Sequence, residues 1–140
     1  MSPLAEKMDL IASTLQALCP ERIVSRNYRD FAAASNDDLK QGRFTVLSRG
    51  EPAYLNHFHR PADESRHSIW IVGQIMLPRD SHGSAIEDAE FEMVEDVKRL
   101  VRSTLPVEIC TLELKRFVQS HQMEAPRGWV RCELELNETR

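Results

Sequence analysis

The sequence predicts an α+β domain: an antiparallel or mixed sheet of about four to five strands, two helices packed on one face, and a long flap loop. Three observations carry this. Leu4, Met8, Ile11, Leu15 and Leu18 recur at helical spacing near the start, which places them on one stripe of a helix. Ser68–Leu77, SIWIVGQIML, is β-branched and apolar, the composition of a well-buried strand. The last forty residues contain two runs of strict alternation, the period of a half-buried strand.

The elements follow in order. Ser2-Pro3 starts the first helix and Cys19-Pro20 stops it. Ile23–Phe31 mixes apolar and arginine residues and reads as a short strand with an irregular exit, and residues 32–42 read as a turn or a single helical turn. Phe44, Val46 and Ser48 alternate with Arg43, Thr45 and Leu47 in a second strand, closed by Arg49-Gly50-Glu51-Pro52. The flap covers about residues 49–67. It contains Pro61, shows no sustained period, and carries three of the five histidines.

In the strand that follows, Ile69, Ile71, Ile75 and Leu77 take one face and Trp70, Val72, Gln74 and Met76 the other, with Gly73 as a candidate bulge. Both faces are apolar, so a second layer or a partner subunit is expected over Trp70. Ser84 and Glu87 have the spacing of a capping box, opening a helix that runs to about Thr104. Its core stripe is Ile86, Ala89, Met93, Val97, Leu100 and Val101. Acidic residues crowd its first half and basic ones its end, an order that complements the helix dipole, and the acidic side is expected to be solvated. In the final hairpin Cys110, Leu112, Leu114, Arg116 and Val118 share a face, as do Val130, Cys132, Leu134 and Leu136, with a turn through Pro126-Arg127-Gly128.

Composition bounds the function. The 140 residues are 41% hydrophobic and 29% charged, ordinary for one self-sufficient globular domain. No run is long and apolar enough to span a membrane, and charges near the start are unlike a signal peptide, so the cytosol is the expected location. A net charge of −4 argues against a protein that grips nucleic-acid phosphate. Cys19, Cys110 and Cys132 lie far apart with no Cys-x-x-Cys pair, so reduced, buried thiols are expected. Fourteen of the eighteen basic residues are Arg, the cation favoured at interfaces.

Candidate chemistry concentrates in the flap. His57 and His59 can project to one side of an extended segment, with Asp63, Glu64 or His67 as further donors, a spacing compatible with a small metal-dependent hydrolase but not diagnostic of one, since Pro61 interrupts the segment that must supply the third ligand. The competing expectation is that His57, Phe58, His59 and Arg60 form a contact flap and that Trp70, Val72 and Met76 supply an apolar interface, with no metal, cofactor or catalytic group. Asp80-Ser81-His82 has the residue types of a hydrolase triad, but consecutive side chains cannot adopt its geometry.

The chain as a whole resembles the tail terminator proteins of long-tailed phages, similar to the minor tail protein U family, particularly in Mu-like transposable phages and prophages. The similarity lies in the order of the N-terminal helix, ERIVSRNYRDFAAASNDDLKQGRFTVLSRGE, the flap, SIWIVGQIMLP, EDAEFEMVEDVKRLV and the terminal GWVRCELEL. It implies a structural, non-enzymatic virion subunit in the neck of the tail. Such subunits form a ring, usually a hexamer, that caps the tail tube protein, stops its polymerisation and presents a surface to the head-tail connector or stopper protein. Genomic DNA passes through the lumen without specific binding. Another head-tail joining or tail-completion protein shares the same assembly logic. No catalytic residue carries over from this family.

Overall fold

The computed structural model describes residues 2–51, 65–103 and 111–138. Its elements are α1 (Pro3–Leu18), β1 (Ile23–Ser25), α2 (Asn36–Gln41), β2 (Arg43–Gly50), β3 (Ser65–Met76), α3 (Gly83–Arg102), β4 (Thr111–Gln119) and β5 (Arg127–Glu138). One five-stranded sheet has the order β1-β2-β3-β5-β4. β1 runs parallel to β2, and the other three pairings are antiparallel. The mixed α+β class expected from the sequence is what the chain adopts.

Local chemistry accounts for the helix ends. Ser2 Oγ accepts from the Ala5 N–H at 3.1 Å, with Pro3 opening α1, which satisfies one of the free donors of the first turn. α2 is capped the same way by Ser35, whose hydroxyl accepts from Asp38 N–H, and Gly42 ends it at φ +91°, where glycine meets no Cβ penalty. The capping box expected at Ser84 and Glu87 does not form. α3 begins at Gly83 with His82 as its cap, and no side chain bonds the free donors. The chain therefore enters the helix too early for Ser84 to stand outside it.

Met8, Ile11 and Leu15 of α1 and Met93, Val94, Val97 and Leu100 of α3 pack with Phe44, Val46, Ile69, Ile71, Val130, Cys132, Leu134 and Leu136 from one face of the sheet in a single core. That placement agrees with the stripes and alternations in the sequence. Gly73 is no bulge, because its pairings to Phe44 and Val130 continue without a register shift. A Cβ there would stand 2.9 Å from the Met93 side chain and 3.0 Å from Val130. The glycine lets α3 press against the middle of β3.

The short strand with an irregular exit expected from Ile23 is present, its strand part running to Ser25. Three further expectations are corrected. β3 begins at Ser65, so strand pairing reaches into the segment expected to be flap. β5 begins at Arg127, not Trp129, because Arg127 already pairs with Met76. In β4 a register shift between Leu114 and Arg116 inserts Lys115 as an extra residue, which reverses the faces beyond it. Arg116 and Val118 therefore turn away from the face of Leu112 and Leu114, while Phe117 pairs with Cys132.

Candidate functional site

The opposite face of the sheet is the candidate interaction surface. Register places Arg43, Thr45 and Leu47 beside Gln74, Val72 and Trp70 of β3, and those beside Trp129, Arg131 and Glu133 of β5. Neither α1 nor α3 covers these residues, but the segment after β1 crosses one end of them, and Asp38 of α2 pairs with Arg43 at 3.6 Å. Arg43 donates to Asn27 O at 2.7 Å, and Gln74 Nε2 donates to Arg29 O at 3.0 Å. Both side chains are thereby buried, as is Thr45 beside them, while the rest of this face is half-covered. Burial has a cost there, since Gln74 Oε1, Thr45 Oγ1 and Arg43 Nε have no hydrogen-bond partner.

Beside this strap lies a groove of about 520 Å³. Tyr28, Phe31, Leu47, Trp70, Val72 and Trp129 supply its apolar lining, and Asp30, Glu124 and Arg131 its charges. Trp70 does not stand as a bare apolar contact. The guanidinium of Arg49 lies 4.0 Å from its ring centroid and that of Arg131 4.4 Å, both within cation–π range. Glu133 orients the second of these arginines, accepting from Arg131 Nε at 3.2 Å while also pairing with Arg116 at 3.0 Å. The second layer expected over Trp70 is thus supplied in part by arginines of the same chain.

Among the residues marked out by the sequence, Trp70 and Val72 share this groove. Met76 lies apart, in a separate depression with Lys40, Leu77, Pro78 and Arg127. His57, Phe58, His59 and Arg60 lie outside the described residues, as do Asp63, Glu64 and Cys110. Among the described residues His67 joins no ligand cluster. It sits in β3, 4% exposed, and no group of three metal-binding side chains occurs among the described residues. Cys19 and Cys132 are buried thiols, pushed up to about 11 and about 12 chiefly by desolvation.

Two acidic residues of α3 depart from the solvated face expected of them. Glu90 is 1% exposed. Its carboxylate accepts from Trp129 N–H at 2.9 Å, from Gln119 Nε2 at 3.2 Å and from the Ser120 hydroxyl. Asp96 receives Arg22 Nε at 3.1 Å and pairs with Arg99. The first carboxylate ties α3 to the start of β5, and the second ties it to the loop before β1. Gly128 permits the first, since a Cβ there would stand 2.8 Å from Glu90 Oε2 and from Ile86. A signal was available, because Glu90 falls between Ile86 and Met93 at the spacing of the core stripe.

Comparison of the chain with protein-family models and with curated proteins finds no match.

Proposed function

We propose that this chain is a structural virion subunit, a tail terminator that assembles into a ring on the end of the tail tube, halts its polymerisation and offers a surface for head attachment. The observation that carries the proposal is the half-covered sheet. Both helices of the core lie on one face, while the other presents a groove with four aromatic side chains at its floor and walls, rimmed by Arg131, Asp30 and Glu124. Exposed apolar surface rimmed by charge is the anatomy of a protein contact.

Edge pairing is a poor alternative route to assembly. β1 has three residues, and β4 carries Glu113, Lys115 and Arg116 around its bulge, features that blunt a strand edge against another chain. Contact through side chains of the open face is favoured instead. A closed ring needs two different complementary patches on each subunit, and the Trp70 groove is proposed as one of them. With a net charge of −4, a lumen lined by this chain repels rather than holds phosphate, letting DNA pass.

Electron microscopy of phage lacking this protein tests the role. Overlong tails of variable length are expected, and normal tails of fixed length joined to heads would reject it. Sedimentation of the purified chain with tail tubes gives a second check, with a ring-sized species expected and a monomer at every concentration against it.

A further inference from the structure

At the end of the β2–β3 pair three side chains stand in a chemically suggestive order that the assembly role does not use. Ser48 Oγ lies 2.8 Å from His67 Nε2, and Glu51 Oε1 lies 3.5 Å from His67 Nδ1. Strand register brings them together. Ser48 pairs with Ile69 and Gly50 with Ser68, leaving Arg49 as an extra residue on β2. The bulge bends the strand so that Glu51 follows Ser48 around the imidazole, a use bulges often serve beside reactive groups.

Exposure is graded in the sense a nucleophilic site requires. Ser48 is exposed, Glu51 is partly covered, and His67 is buried with its Nδ1 lacking any hydrogen bond. When Nε2 accepts from the serine hydroxyl, the ring proton resides on Nδ1, facing the carboxylate. A shift of about half an ångström by Glu51 makes that contact a hydrogen bond, and such contacts commonly tighten only when substrate binds. The Gly50 N–H donates to Ser48 Oγ at 3.4 Å, a contact within the bulge that helps fix the hydroxyl beside the imidazole.

We propose that Ser48, His67 and Glu51 form a nucleophilic site that cleaves small carboxylic esters. Ser48 Oγ bonds to the ester carbonyl carbon as its proton passes to His67 Nε2. The carbonyl carbon–alkoxy oxygen bond then breaks, and that proton leaves with the alcohol. Water attacks the acyl-serine, giving one proton to Nε2; the bond to Oγ breaks, Ser48 regains the proton, and the carboxylic acid departs. Glu51 is the positioning residue, holding the tautomer and balancing the imidazolium. This inference stands independently of the ring assembly.

Labelling of the intact chain with a fluorophosphonate probe, followed by peptide mapping, tests it. One adduct at Ser48 is expected, with fluoride as the leaving group and none in Ser48→Ala. The labelling rate should fall about a hundredfold in His67→Gln and about tenfold in Glu51→Gln, with partial recovery in Glu51→Asp and unchanged circular dichroism. Glu51→Gln, at a partly exposed position, keeps the test valid should the buried His67 variant misfold. p-Nitrophenyl acetate should be turned over above the level of Ser48→Ala. Adducts spread equally over Ser13, Ser48 and Ser84, or a Ser48 rate unaffected by Glu51→Gln, would overturn the proposal in favour of a purely structural serine–histidine hydrogen bond.

Discussion

The two faces of the sheet solve the same problem, apolar side chains on a pleated surface, by different means. On the helix side Ile69, Ile71, Val130, Cys132 and Leu136 are buried by α1 and α3. On the other, Leu47, Trp70, Val72 and Trp129 are half-buried and covered by a strap and by arginine side chains. Close packing makes the first face intolerant of change, because each lost methyl leaves a cavity. The second can exchange its cover for a partner. Stability is therefore concentrated on one side of the sheet, and the other is the side proposed for association.

Adjacent residues of β3 give the sharpest way to break that comparison. Ile71→Ala should cost about 2 to 5 kcal/mol, whereas Val72→Ala, one residue on and facing the groove, should cost about 1 kcal/mol or less. Urea unfolding of the two variants measures the contrast, and equal losses would mean that both faces are core. Glu90→Ala should come next, at about 2 to 3 kcal/mol, because it leaves donors of Trp129, Gln119 and Ser120 without their acceptor. Thermal melts should place its loss well above that of the exposed neighbour Glu92→Ala. Trp70→Ala should cost less than Glu90→Ala, about 1 to 2 kcal/mol for two cation–π contacts and partial burial. Its larger effect should be on assembly, with oligomer dissociation shifted at least tenfold by sedimentation; unaltered assembly would remove Trp70 from the interface.

The candidate site was only partly visible before the fold was known. Trp70 and Val72 announce themselves through alternation in a run that is apolar on both faces. Their arginine cover does not, because Arg49 reaches Trp70 only through the bulge after Ser48, and Arg131 only through pairing of β3 with β5. Met76 shares the parity of Trp70 but not its groove, since α2 approaches that end of the strand and contributes Lys40 to a separate depression. Ser48 and His67 are nineteen positions apart, and no local pattern joins them.

By itself the sequence determined the class of the domain, the buried stripes of α1 and α3 and the inward faces of β3 and β5. Each of these is written in a repeat of 3.6 or 2 residues, and burying apolar surface allows such a repeat few arrangements. Tertiary structure alone decided the placement of polar groups: Glu90 on three donors, Asp96 between arginines, Trp70 between two guanidiniums, and Ser48 against His67. Hydrogen bonds and ion pairs depend on ångström distances between residues remote in the chain, and those distances exist only after strand register and the two bulges have been set.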